Sequence, residues 1–239
     1  MQEEVPYRVE SMSWPTPVIA EMWLTPLEGD VLMFEPGQYV LLNDHQFRVP
    51  PRSYSIANAP RGDGKISVLI TKVDGGETSS WAVRREPGDE VVISGPFGTF
   101  TPTDSGRLQA FLAAGSGFAP ARSLIESARL ADRLGGVVVV MSARNEDHLI
   151  DAANMVTLER EHPGFRYIRT LTRAESAAPV GRLPAQLAEL VPDIAEREIY
   201  ASGPPGFVRA CADAARDAGA QGTHIHTEEF YFEPHPWNA

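Results

Sequence analysis

Across the first hundred residues the apolar positions come in short runs of strand length. Val5–Met12, Val18–Thr25, Gln38–Leu42, Ser53–Ala57, Lys65–Val73 and Glu90–Ser94 are each strand-like or strand-sized. Glu35-Pro36-Gly37, Arg61-Gly62-Asp63-Gly64 and Glu86-Pro87-Gly88-Asp89 punctuate them with residues that favour turns. Period-two alternation opens Lys65–Ile70, and the Asp63-Gly64 pair ahead of it signals a hairpin. Regularly spaced short strands predict a small barrel or sandwich.

The pattern changes after Phe100. Thr101-Pro102-Thr103-Asp104-Ser105-Gly106 is polar and turn-rich, which divides the chain into residues 1–103 and 104–239. Beyond it, Leu108–Ala113 reads as a buried strand, and Leu124, Ile125, Ala128 and Ala131 mark one face of a helix. Val137–Met141 has the apolar, mostly β-branched content of a central parallel strand. A helix over Glu146–His162, a strand over Phe165–Leu171 and a helix over Pro184–Leu190 follow. Strand Glu198–Ala201, helix Phe207–Ala218 and strand His224–Phe230 complete the series. Alternating strands and helices predict a doubly wound α/β sheet.

Composition adds exclusions. The 239 residues suit two small domains or one large one, and the 43% hydrophobic content can furnish a core in each half. A formal charge of −11 argues against nucleic-acid binding, which needs a basic face. The single cysteine, Cys211, excludes an internal disulfide, a four-cysteine iron–sulfur cluster and a multi-cysteine zinc site; it reads as helix packing. His224 and His226, without a clear third ligand, read as surface strand residues rather than a metal site, and no Gly-x-Ser-x-Gly marks a hydrolase. The acidic Met1-Gln2-Glu3-Glu4 start and the lack of a long apolar run predict no signal peptide, no membrane span and a cytoplasmic protein.

Four segments carry candidate chemistry. Gly115-Ser116-Gly117-Phe118-Ala119-Pro120 lies between strand and helix, where glycines admit a ligand and the helix N-terminus offers free N–H groups to phosphate; a plain tight turn is the alternative. Arg52-Ser53-Tyr54-Ser55 sets a guanidinium and an aromatic ring on one strand face. Gly75-Gly76-Glu77-Thr78-Ser79-Ser80 precedes a short helix that Ser79 or Thr78 would cap, or else cradles phosphate. Ser202-Gly203-Pro204-Pro205 is a second turn at the carboxyl edge of the sheet, where open α/β sheets bind ligands.

In order and spacing, Arg52–Ser55, Gly95-Pro96-Phe97-Gly98, Gly115–Pro120 and Ser202–Pro205 resemble the ferredoxin–NADP reductase superfamily, over nearly the whole chain. The resemblance implies an antiparallel Greek-key β-barrel for FAD and a doubly wound domain for NADPH or NADH, without an iron–sulfur domain. It implies that Arg52 contacts the flavin phosphate, Tyr54 stacks on the isoalloxazine and Ser55 sits near N5. Ser53, Ile70, Thr71 and Lys72 would line the flavin, and Gly76, Thr78 and Ser79 would hold its phosphates. Gly115, Ser116, Gly117, Pro120, Gly203 and Pro204 would meet the nicotinamide nucleotide. Arg144, Thr172 and Arg173 would face its adenosine end, where two arginines favour a 2′-phosphate. Glu228 and Phe230 would approach the flavin, and Ser202 stands where many members have cysteine. FMN in place of FAD stays open.

The implied activity is hydride transfer from NAD(P)H to the flavin, then single electrons to a separate ferredoxin, flavodoxin or oxygenase component. An NAD(P)H:flavin reductase and a non-catalytic flavin- or nucleotide-binding subunit are the alternatives. Arg84-Arg85 with Arg48 is the candidate basic patch for an acidic partner, against the plainer reading of solvated arginines.

Overall fold

The computed structural model describes residues 4–27, 31–44, 46, 48–173 and 183–231. The acidic start through Glu3 and the aromatic tail beyond Tyr231 lie outside them.

Six antiparallel strands form the first sheet: β1 (Glu4–Ser13), β2 (Ile19–Pro26), β3 (Tyr39–Asn43), β4 (Arg52–Ser55), β5 (Ile66–Thr71) and β6 (Glu90–Phe97). Their order, β4-β3-β6-β1-β2-β5, places β6 between β3 and β1 and β5 beside β2, the long returns of Greek-key connections. The outer strands meet through an Ile56–Val68 bridge and an Ala57 N–H to Ser67 carbonyl bond of 2.8 Å, which curls the sheet towards closure. Met22 and Leu24 point inward with Tyr7, Val40, Ile66 and Ile93, following the strand period. The short helix α1 (Glu77–Ala82) adds Trp81 to that core.

The second unit alternates as its pattern predicts. It runs β7 (Gln109–Ala114), α2 (Phe118–Leu130), β8 (Val138–Ala143), α3 (Ala152–Glu161), β9 (Arg166–Leu171), α4 (Leu183–Leu190), β10 (Glu198–Gly203), α5 (Pro205–Asp217) and β11 (Ile225–Glu229). All strands are parallel in the order β11-β10-β7-β8-β9. Phe111, Val139 and Met141 pack with α2 and α3, whereas Ala110, Leu112, Val138 and Val140 pack with α4 and α5. Each inner strand is therefore apolar on both faces.

The two units share a core, since Ile19, Ala57, Leu69 and Phe100 pack with Phe118 and Leu124. Helix α2 latches them. Arg122 donates to the Ala57 carbonyl (2.7 Å), Ser67 Oγ (2.9 Å) and Glu21 (2.5 Å). Ser123 donates to the Asn58 carbonyl (2.7 Å), and Glu126 accepts from the Ala59 N–H (2.7 Å).

Several expectations are corrected. The stretch 146–162 is not one helix: Glu146–His148 forms a single 3₁₀ turn, and α3 starts after Asp151, whose φ of 56° breaks the helical path. Ala131 is exposed because α2 ends at Leu130. Neither Thr78 nor Ser79 caps α1; Gly76 does, and both hydroxyls point inward. The Asp63-Gly64 hairpin amounts to the Ile56–Val68 bridge, while β5 takes β2 as its main partner. Among the described residues, no helix is long and apolar enough to cross a membrane.

Candidate functional site

Strands β7 and β10 are neighbours, so their carboxyl-end turns come together. A Cβ on Gly117 would lie 2.4 Å from the Ser202 carbonyl oxygen and 2.5 Å from the Gly203 nitrogen. Glycine is therefore required there for backbone-to-backbone contact. The Ser202 hydroxyl, fully buried, donates to the Gly117 carbonyl at 2.6 Å and fixes this contact. The hydroxyl is thus enclosed between the two turns. Gly115 (φ 56°) meets only Ile19 Cδ1 at 3.9 Å and is open on its other side.

No side chain caps α2, and its N-terminus follows directly from this turn. The free N–H groups suit an anion. Pro120, buried in the first turn, lacks only an N–H that has no partner within the helix. The Ser116 side chain lies inside the turn. It is buried, and the Thr71 hydroxyl donates to it at 2.8 Å.

The barrel supplies the other wall. Along β4, Arg52 and Tyr54 are half-buried, Ser53 is exposed on the opposite face and Ser55 is buried. Most arginines of this acidic chain are ion-paired, as Arg48, Arg85 and Arg122 are. Arg52 makes no ion pair among the described residues, and the Tyr54 hydroxyl makes no hydrogen bond among them. Burial pushes the Tyr54 phenol upward, with nearby Arg52 opposing. Ile70 faces the barrel core, and its backbone pairs with Ala20 of β2. Lys72 is exposed, its N–H held by the Val18 carbonyl at 3.0 Å. Beyond it, Gly75 is open, Gly76 packs on Val73 and Ser79, and Thr78 Oγ1 donates to the Pro50 carbonyl at 2.5 Å.

Ser55 and Glu228 join the two walls: the serine hydroxyl donates to the glutamate carboxyl group. Burial pushes the Glu228 carboxyl up to about 7, the Ser55 bond partly opposing. Phe230 follows, its N–H bonded to the Gly203 carbonyl at 2.8 Å beside Pro204.

At the ends of β8 and β9, Thr172 N–H bonds the Ala143 carbonyl (2.9 Å) and Arg173 N–H the Arg144 carbonyl (2.8 Å). Both arginine side chains are exposed and make no ion pair among the described residues. A guanidinium without an ion pair among the described residues, a half-buried tyrosine ring packed on the barrel core and open glycine turns around one crevice fit a flavin nucleotide on the barrel side and a second nucleotide on the sheet side.

The proposed basic patch is mostly neutralised. Arg48 pairs with Asp44 at 2.6 Å and Arg85 with Asp89 at 3.1 Å, which leaves Arg84 without an ion pair among the described residues. Cys211 is fully buried in α5, and burial pushes its thiol up to about 12. His224 and His226 are not free surface residues, because both bond the buried Glu198. Sequence spacing showed the histidines but not their partner, 26 and 28 residues away. The Arg122 latch had no local signal at all. A separate cleft of about 370 Å³, lined among others by Trp23, Arg122, Asp151 and Met155, includes none of the expected cofactor residues.

Two family models match: an oxidoreductase FAD-binding domain over residues 19–101 and an oxidoreductase NAD-binding domain over residues 111–213. The ferredoxin reductase component of 3-ketosteroid-9-alpha-monooxygenase from Mycolicibacterium smegmatis is 32% identical over 211 residues, 85% of this chain and 58% of that protein. Ferredoxin–NADP reductase B from Sorangium cellulosum is 28% identical over 229 residues, 90% of this chain and 93% of that one. The crystal structure of an Amycolatopsis cytochrome P450 reductase superposes with a TM-score of 0.87 at 26% identity, covering 95% of this chain and 70% of that one. The chain spans little more than half the length of the first of these relatives.

Proposed function

The chain belongs to the ferredoxin–NADP reductase superfamily, and from that premise we propose that it is a flavin-dependent reductase, taking hydride from NAD(P)H onto FAD and passing single electrons to a separate acceptor protein. The observation that carries this reading is the Ser55–Glu228 bond. It draws the barrel motif and the last sheet strand to one point of the crevice.

Bound FAD would supply the conversion of a two-electron hydride into single electrons. The chain's residues bind and orient. Arg52 anchors a phosphate, Tyr54 supports the ring, and Thr71, Lys72 and the Gly75-Gly76 turn line the remainder. Gly115, Gly117 and the α2 N-terminus take the pyrophosphate of the nicotinamide nucleotide. Arg144 and Arg173 favour NADPH through its 2′-phosphate. Glu228, poised near neutrality, holds a proton beside Ser55. Positioning of the two reactants contributes much of the acceleration.

The acceptor we favour is a separate oxygenase component or the ferredoxin that serves one, because relatives bear names of oxygenase reductase components. A cytoplasmic setting belongs to the same proposal.

An anaerobic titration of the purified protein with NADPH and with NADH, followed by flavin absorbance, tests the reading. Bleaching by one nucleotide supports hydride transfer and identifies the donor. A chain that retains no flavin, or a flavin that neither nucleotide reduces, overturns it.

A further inference from the structure

Strand β11 is the edge of the parallel sheet, bonded on one side only, to β10. Its two faces are gripped differently. Ile225 packs with Val208 and Cys211 of α5, and Glu229 accepts two bonds from Arg209 at 2.9 and 3.1 Å. His226 and Glu228 share the opposite face, because side chains repeat every second residue.

On that face the carboxylate of Glu198 is a hub, 2% exposed. His224 donates from Nδ1 to one oxygen at 3.0 Å, and His226 from Nε2 to the other at 2.5 Å. Ser105, from the connection between the domains, bonds the same group. The His226 ring stacks on Tyr200 with centroids 4.8 Å apart, and the Tyr200 hydroxyl donates to the Thr101 carbonyl at 3.2 Å. Two residues beyond His226, Glu228 meets Ser55.

We propose that His226 is a positioning residue for the Ser55–Glu228 pair: its bond to Glu198 and its stack on Tyr200 pin this face of β11 and keep Glu228 inside the crevice. The inference deepens the reductase reading, which gives the pair its use; the pinning is a property of the fold.

A carboxyl group with one hydroxyl partner and little water is driven towards its neutral form. Its ionised form gains by moving to solvent, and an edge strand is the least restrained part of a sheet. Pinning closes that escape. The titratable groups facing His226 are Glu198 and Tyr200 from β10 and His224 from the turn before β11. Burial opposes ionisation of Glu198, but bonds from His226, Ser105 and His224 outweigh it and hold the carboxyl below its ordinary range. The pin is thus anchored on a fixed negative charge. Supporting groups of this kind set the geometry of a site without touching its ligand.

His226→Phe keeps the stack and removes the bond; His226→Gln keeps a donor and removes most of the ring. The readout is the carboxylic-acid infrared band of Glu228, identified by its loss in Glu228→Gln and titrated with pH in the full chain, with flavin bound and without. The midpoint should fall by about one pH unit or more in His226→Phe, and by less in His226→Gln. An unmoved midpoint in folded His226→Phe overturns the proposal, whatever happens to Tm. Should that variant not fold, Glu198→Gln gives the same reading; should neither fold, the pair is a folding requirement and the proposal falls. A lowered midpoint in a chain that no nicotinamide nucleotide reduces leaves the pin standing and removes the reductase reading. An unmoved midpoint in an active reductase does the reverse.

Discussion

Ser55, on the edge strand of the barrel, donates its hydroxyl hydrogen to Glu228, on the edge strand of the parallel sheet, 173 residues later. Each strand ends at the crevice, so this bond senses both domains. Replacing Ser55 with Ala should slow flavin reduction about tenfold or more, with flavin content unchanged. Stopped-flow absorbance against NAD(P)H concentration would measure it.

The raised proton affinity of Glu228 also has a stability consequence. The folded state holds the proton up to about pH 7, whereas the unfolded chain releases it in the ordinary carboxylate range. Between those limits the folded state binds more protons, so this group's contribution falls as pH rises. Glu228→Gln should therefore unfold at higher denaturant than the wild type at pH 8. The gain should be about 2 kcal/mol, below the full shift because the side chain keeps some solvent contact. At pH 4 the two should coincide.

Gly117→Ala should weaken NAD(P)H binding about tenfold or more while the flavin stays bound. The added carbon would strike the backbone of Ser202 and Gly203, which cannot yield without moving the turn. Gly206→Ala, which meets nothing within 4 Å, is the matched control. Isothermal titration with both nucleotides compares the two variants.

Arg122 is half-buried with Glu21, each side chain 14% exposed, and bonds three groups of the barrel. Arg122→Ala should cost about 2–3 kcal/mol in equilibrium unfolding, because three bonds across the domain boundary are lost and the half-buried Glu21 loses its partner. A paired Arg122→Met and Glu21→Leu variant should recover most of that loss.

If the exposed guanidinium groups of Arg144 and Arg173 recognise a 2′-phosphate, Arg144→Ala with Arg173→Ala should raise KM for NADPH about tenfold or more and leave that for NADH nearly unchanged. Steady-state kinetics with both donors would show it. Equal effects on the two would assign the arginines to ordinary surface charge.

The sequence by itself determined the kinds of elements and their approximate extents. Period-two and apolar runs report which side of an element avoids water, and Gly117 and Gly203 mark turns that a side chain would obstruct. Tertiary structure decided what covers each apolar face. It set the barrel order, the packing of Phe100 with Phe118, and the Arg122 latch. It also decided where short polar side chains point. The sequence marks Thr78, Ser79, Ser116 and Ser202 as candidate ligand contacts, and the protein atoms their hydroxyls bond are set by packing. The reason is geometric. Periodicity depends on dihedrals repeated along one segment, whereas the partner of Ser55 or His226 depends on how distant segments pack, and no local pattern records that distance.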